Sequence, residues 1–388
     1  MAQSTVLTIL AVVVVVLGGA FQIFIQPLLT AWGYSREIEV LNNDYCKTVP
    51  QLPACEKIVL HPESGLLYLA CSTPASRSHW APALGRLNDS GASFADYVAT
   101  YDPRRSRITR LTVTDFPGSA RGLSLHGMDV VPSVSDPQLL YIYLVNHRAP
   151  IGAKAIDVGA DSVIEIFETR SGSGVMRHLR TVEHEIISTP NDVVGNADGQ
   201  SFWFTNDHGV NKVGLVRLLN LLGRKDTSVG YCSPTGCKYA ITNMHSNNGI
   251  TRAPNGTFYV ADVSMGALSI LEPQEDNTLV LVDEVLLDRG IDNVSVDSEG
   301  YVWAAGFPNM FSLFKHFENP HIPSPVSVLR VSVNTSPDAL MGVKYKVETM
   351  FEDDGKAASG ATSAVYDVQR NLLFINGLSS PHLTICKL

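Results

Sequence analysis

Six times between residues 56 and 376 the chain repeats one short pattern: a strand that opens on a polar group, a turn, then an apolar strand. The pairs are 56–61 with 67–71, 126–131 with 140–145, 191–194 with 202–205, 248–252 with 257–261, 292–297 with 301–305, and 362–367 with 372–376. Each is rich in β-branched and aromatic residues, which suit a pleated, buried surface. Further strand candidates lie between them, at 97–102, 162–168 and 268–272. About four strands per unit, repeated six times, predict an all-β chain folded as a six-bladed β-propeller. A β-sandwich would need fewer strands and would not place matched polar residues at one strand end. Residues 217–222 read as a short helix on one face.

The first residues follow a different rule. No charged side chain precedes Arg36, and residues 6–25 are apolar apart from Thr8, Gln22 and the glycines. About 20 such residues suffice to cross a bilayer as a helix. Either residues 1–35 form a retained N-terminal apolar helix that anchors the propeller domain at 36–388, or they are a signal segment cut near Gly18-Gly19-Ala20.

Five of the six units open on a coordinating or titratable side chain: Glu56, His126, Asn191, Asn248 and Asp292. In a propeller the innermost strand of each blade lines the central channel, so these distant positions converge on one axis. Glu56, Asn191, Asn248, Asp292 and Asn293 are oxygen donors, a set that selects Ca²⁺ or Mg²⁺ over zinc or copper. Two carboxylates and three carboxamides balance one divalent cation. A cation held there would polarise a carbonyl, and hydrolysis would also need a base. His126 opens its strand at the level of these donors, and His147 closes the partner strand. They are the candidate base and relay, against the alternative of two hydrogen-bonded structural histidines. His208, beside Asp207 at a strand end, reads as structural support.

The formal net charge of −9, with no run of Lys or Arg, argues against nucleic acid as a partner. Six cysteines stand at 46, 55, 71, 232, 237 and 386, with no C-x-x-C spacing. Cys232 and Cys237 bracket a turn and could close a small loop. A bridge between Cys46 and Cys386 would tie the ends of a ring. Free thiols are the alternative, and the pairing of Cys55 and Cys71 stays open. Sequons at Asn88, Asn255 and Asn334 are candidate glycosylation sites, which with the cysteines favour the secretory pathway, membrane-anchored or secreted. No G-x-S-x-G elbow or H-E-x-x-H motif supports a serine or zinc hydrolase. Two other functions fit the pattern: a non-catalytic, calcium-stabilised binding propeller, and a propeller lyase of the strictosidine synthase type.

From Cys46 to Leu388 the chain resembles the paraoxonase/arylesterase family. The segments that carry the resemblance are Leu125-His126-Gly127-Met128, Val145-Asn146-His147, Pro190-Asn191-Asp192-Val193, Thr205-Asn206-Asp207-His208, Asn247-Asn248-Gly249-Ile250, Ile291-Asp292-Asn293-Val294 and the terminal Ile385-Cys386-Lys387-Leu388. The resemblance implies a six-bladed propeller with two axial calcium ions that hydrolyses lactones and aryl esters. It implies that Glu56, Asn191, Asn248, Asp292 and Asn293 hold the catalytic calcium, that His126 and His147 form a dyad, and that Cys46 pairs with Cys386. It also implies an apolar N-terminal helix, here residues 6–29, that meets a membrane or lipid surface.

Two departures stand out. Where the family's deeper calcium has an acidic ligand, this chain has Lys57, although Asp192 and the Met128 carbonyl remain. The expectation is that the Lys57 ammonium takes that ion's place beside Asp192, since a buried ammonium needs a partner. Phe307 stands where the family often has a histidine.

Overall fold

The computed structural model describes residues 2–337, 339 and 342–388. Six sheets succeed one another along the chain. Blade 1 is Cys55–His61, Leu66–Cys71, Tyr97–Asp102 and Arg107–Arg110. Blade 2 is Leu125–Pro132, Leu139–Arg148, Asp161–Arg170 and Val175–Val182, with Thr112–Thr114 added in parallel at its outer edge. Blade 3 is Pro190–Gly195, Phe202–Asn206, Lys225–Ser233 and Gly236–His245. Blade 4 is Asn247–Arg252, Phe258–Asp262, Ala267–Pro273 and Leu279–Leu286. Blade 5 is Ile291–Val296, Val302–Gly306, Val326–Val333 and Tyr345–Asp353. Blade 6 combines Ser363–Asp367, Leu372–Asn376 and Leu383–Lys387 with Cys46–Val49 from the other end of the chain. The all-β propeller expected from the repeat is therefore present, with the second strands of blades 4 and 5 each starting one residue later than predicted.

The packing explains why alternate residues on both faces of these strands are apolar. Successive side chains point to opposite faces, so a blade must bury one set against each neighbour. In blade 3, Phe202 and Phe204 pack with Tyr143 and Ile164 of blade 2. Trp203, between them, packs with Phe258 and Val260 of blade 4. Each of the other seams also has one apolar cluster: Tyr68 with Leu140, Leu268 with Ala304, Trp303 with Ile375, and Phe374 with Leu69. The inner strands touch their neighbours in turn all the way round, from blade 1 to blade 6 and back to blade 1.

Closure is both hydrogen-bonded and covalent. Cys46–Val49 pairs antiparallel with Leu383–Lys387, and Cys46 lies opposite Cys386, to which it is disulfide-bonded. Cys55 pairs with Cys71 across the first hairpin, and Cys232 with Cys237. Among the described residues no cysteine is free, so the free-thiol alternative falls.

The N-terminal helix runs from Ala2–Ala20 through a π turn at Phe21–Ile25 into Gln26–Ala31. Its Thr5–Ala31 stretch is 27 residues of apolar helix, long enough to cross a membrane. Its end is fastened to the propeller: Gly290 N donates to Ala31 O (3.2 Å) and Met310 N to Trp32 O (3.0 Å). Trp32 meets Phe311 and Phe314 edge-on at 5.8 and 6.3 Å. Those rings belong to the helix Met310–Glu318, which lies outside the strand repeat. The helix at 217–222 is realised as one turn, Leu215–Leu218, followed by a 3₁₀ turn at Leu219–Leu222.

The ring closure predicts unequal disulfide contributions. Cys46 and Cys386 are 340 residues apart and Cys232 and Cys237 only 5. Chain-entropy scaling gives about 6 kcal/mol for the first and about 2 kcal/mol for the second. Chemical denaturation of the Cys46→Ser/Cys386→Ser and Cys232→Ser/Cys237→Ser variants should show the larger loss in the former. Equal losses would mean that the closing bridge does not restrain the unfolded ring.

Candidate functional site

The axial side chains come from one strand end, and a shared backbone feature aims them. In blades 1 to 5 the register between the inner strand and its partner slips at the site residue. It jumps past Glu56 in blade 1, His126 and Gly127 in blade 2, Asn191 and Asp192 in blade 3, Asn248 and Gly249 in blade 4, and Asp292 and Asn293 in blade 5. A β-bulge breaks the strict alternation and re-aims side chains. Two consecutive residues of one strand, such as Asp292 and Asn293, can then both reach the axis. Blade 6 keeps regular register. The inner strands crowd closely: a Cβ on Gly127 would overlap Asp192 Cα, and one on Gly249 would overlap Asn293 Cα.

Glu56, His126, Asn191, Asn248 and Asp292 line one cavity of about 390 Å³, together with Asp207, His208 and Thr362. All five predicted residues are buried. Thr362 Oγ1 donates to Glu56 Oε2 (2.6 Å), and His126 Nε2 lies 3.8 Å from Oε1. Asn191 Nδ2 faces His126 Nε2 at 3.2 Å and Asp207 Oδ2 at 3.4 Å. That leaves Asn191 Oδ1 buried without a partner, as are Asn248 Oδ1 and Asp292 Oδ1. Buried polar atoms are rarely left unpaired. Three unpaired oxygens around one carboxylate have the chemistry of a hard-cation site, so these residues fit a calcium-type ion. Among the described residues no group of three or more His, Cys, Asp or Glu side chains is placed to hold a metal; the carboxamides are essential to this set.

Asn293, also expected among the ligands, faces Lys57 and Glu56. Its Oδ1 accepts from Lys57 Nζ (3.1 Å), and its Nδ2 donates to Glu56 Oε1 (3.1 Å). Lys57 itself is buried and lies 2.5 Å from Asp192 Oδ2, which also accepts from Ile250 N at 2.9 Å. The Met128 side chain packs in the seam between blades 1 and 2.

The two histidines meet as the hairpin spacing suggested, with ring centroids 5.3 Å apart and planes at 60°. His147 Nδ1 is bonded to Ser162 Oγ (2.8 Å), while His147 Nε2 and His126 Nδ1 are buried without partners. The chain entering His126 is clamped by side chains. Leu125 N donates to Asp96 Oδ2 (2.9 Å), Arg77 donates to Leu125 O, and Arg77 pairs with Asp96 at 3.3 Å. Asn146 Oδ1 accepts from Ser124 N at 2.9 Å. His208 Nε2 bonds Ala83 O (3.2 Å), which supports a turn at the cavity rim.

Burial dominates the electrostatics. It pushes Glu56 up to about 7, against the lowering effect of the Thr362 hydrogen bond and of Arg77. Burial, then repulsion from Glu56, raises Asp292 well above the carboxylate range. Burial, with His147 and Arg77, drives His126 well below its ordinary value, and burial with Arg77 brings His147 to about 3. Burial thus favours the neutral form of both rings, and the same burial makes each a weaker base.

The cavity wall is apolar, formed by Phe307, Met310, Leu313, Phe314 and Phe317. Apart from Phe307, this wall was not singled out from the sequence, nor were Thr362 as a site residue and the Arg77–Asp96 clamp. The wall had a legible signal: an Asn309 cap, whose side chain accepts from Ser312 N (2.9 Å), followed by apolar residues at 310, 313, 314 and 317.

A sequence model of the arylesterase family, "Arylesterase", matches residues 102–388. The chain belongs to the arylesterase family. It is 29% identical over 246 residues to serum paraoxonase/arylesterase 2 of Rattus norvegicus, covering 62% of this chain and 63% of that protein. It is 30% identical over 253 residues to serum paraoxonase/lactonase 3 of Mus musculus, covering 65% and 66%. The matches thus span slightly less than two thirds of the relatives' own length. Among solved structures, a luciferin-regenerating enzyme superposes with a TM-score of 0.50 at 12% identity, covering 88% of this chain and 95% of that one; the likeness is one of fold.

The carboxylate pair predicts a signed pH dependence. Glu56 has an ordinary value of 4.5 and a folded value of about 7. Below 4.5 it is protonated whether folded or unfolded; above 7 it is ionised in both, and the folded anion is the costly one. In chelator-treated protein this residue's contribution to stability is lost as pH rises from about 4.5 to 7. Melting curves across that window should fall less steeply in Glu56→Gln than in the parent. An identical slope would show that Glu56 is not held protonated.

Proposed function

We propose that this chain is a calcium-dependent hydrolase of lactones and aryl esters. The observation that carries the reading is the set of unpaired oxygens of Asn191, Asn248 and Asp292 around Glu56, at the floor of an apolar-walled cavity in a member of the arylesterase family. These four residues would hold the ion, whose chemistry when bound is Lewis-acid polarisation of the substrate carbonyl. The names of the relatives, paraoxonase/arylesterase and paraoxonase/lactonase, support the substrate class.

His126 presents Nε2 to the cavity beside Glu56 and Asn191, where it would take a proton from water as the water oxygen attacks the carbonyl carbon. The proton it holds on Nδ1 would pass toward His147, whose Nε2 is free to receive it and whose Nδ1 is anchored on Ser162. The ester C–O bond then breaks, and the leaving alkoxide or phenolate recovers a proton. Asn191 orients the His126 ring, and the Arg77–Asp96 clamp fixes the strand that carries it. The phenyl rings at 307, 314 and 317 favour apolar acyl or aryl groups and keep bulk water out.

One calcium per chain follows from Lys57. Its ammonium already neutralises Asp192, the carboxylate that a deeper ion would need. The apolar Thr5–Ala31 helix would hold the protein at a membrane, with the cavity wall beside its exit through Trp32. A lumenal or extracellular setting suits the three disulfides and would allow glycosylation at Asn88, Asn255 and Asn334.

Phenyl acetate and a γ- or δ-lactone should be hydrolysed by the purified protein, with activity lost on chelation and restored by calcium. His126→Gln should lower kcat by about 10²–10⁴-fold. Bound calcium without hydrolysis would favour a binding propeller, and chelator-resistant turnover would remove the metal from the mechanism.

A further inference from the structure

The buried lysine does more than neutralise Asp192. Lys57 Nζ contacts Asp192 Oδ2 at 2.5 Å and Asn293 Oδ1 at 3.1 Å, inside the ring of inner strands. An ammonium has only hydrogens to offer, so the Asn293 atom that faces it must be the oxygen. The lysine thereby decides which way the carboxamide is turned. The nitrogen is left pointing at Glu56, where it donates to Oε1 (3.1 Å) and to the main-chain carbonyl (3.2 Å).

We propose that Lys57 sets the coordination number and affinity of the axial cation site by turning the Asn293 oxygen away from it. This rests on the cation reading of the preceding section. Asn293, adjacent to Asp292 and brought to the axis by the same bulge, becomes a positioning residue. It holds Glu56 from one side while Thr362 holds it from the other. Charge points the same way. Around a bound cation the Glu56, Asp292 and Asp192 carboxylates would carry −3, and Lys57 brings the cluster to −2, the charge one divalent ion cancels. With fewer protein oxygens and an adjacent ammonium, the ion is held more loosely, and more of its coordination sphere stays open to water or a carbonyl.

The test is a double-mutant cycle read by calorimetric calcium titration of chelator-stripped full-length protein, with melting curves to verify folding. Lys57→Met frees the Asn293 oxygen and should tighten calcium about tenfold or more. Asn293→Ala removes only the contact to Glu56 in the parent, but a ligand oxygen as well in the Lys57→Met background, so it should weaken calcium about tenfold more in the second than in the first. Lys57→Arg, still a pure donor, should keep the parent affinity. Equal effects of Asn293→Ala in both backgrounds would overturn the proposal, as would calcium binding no tighter in Lys57→Met. Should Lys57→Met fail to fold, diffraction from the calcium-loaded parent decides: an Asn293 oxygen still seated on Lys57 supports the proposal, and one about 2.3–2.6 Å from the ion contradicts it. A parent protein that binds no calcium would remove the cation reading and this inference together. Calcium binding with a flat cycle removes this inference alone.

Discussion

Closing six blades into a ring forces the open ends of their inner strands together, and in this chain those ends carry charge. Glu56, Asp292 and Asp192 are drawn out of water into one shared space, where like charges are expensive and no solvent screens them. Much of the site answers that constraint. Lys57 settles Asp192, and hydrogen bonds from Thr362 and Asn293 settle Glu56. The oxygens of Asn191, Asn248 and Asp292 are left without partners, and on the proposed reading a cation would satisfy them. On the proposed reading, the cluster that costs the fold stability is the one that would give it affinity for a metal, in keeping with perturbed carboxylates gathering at functional sites.

Geometry at that point is set by backbone irregularity. A regular strand would send alternate side chains outward into the seams between blades. The bulges in blades 1 to 5 interrupt that alternation at the level of the site, and blade 6, which has none, contributes a threonine hydroxyl from just before its strand. Around His126 the buried Arg77–Asp96 pair holds both main-chain polar groups of Leu125. The histidine is thereby oriented by groups that never touch the cavity's contents. Above this rigid floor, the apolar wall and the end of the N-terminal helix share one cluster through Trp32, Phe307 and Phe314.

The propeller was legible because it is built from local pattern: six hairpins with period-two apolar residues, recognisable without knowing what packs on what. The convergence of Glu56, His126, Asn191, Asn248 and Asp292 was legible for the same reason, since each sits at the same point of its repeat. The bulges were not, because an extra residue in a strand has no composition of its own. The opposite orientations of Asp292 and Asn293 therefore had to come from coordinates, even though Lys57 was expected to seek Asp192. Arg77 and Asp96 are distant in sequence and meet only through tertiary packing. The Cys55–Cys71 bridge could not be assigned because cysteine spacing alone does not fix connectivity. The helix Met310–Glu318 is a different case, with its cap and spacing visible but masked by the dominant strand repeat.

The most direct measurement is anomalous diffraction from crystals of the full chain grown with calcium. The account predicts a single strong peak on the propeller axis, about 2.3–2.6 Å from oxygens of Glu56, Asn191, Asn248 and Asp292, with Lys57 still seated on Asp192. A peak beside Asp192 with the lysine displaced, or no axial peak at all, would contradict it.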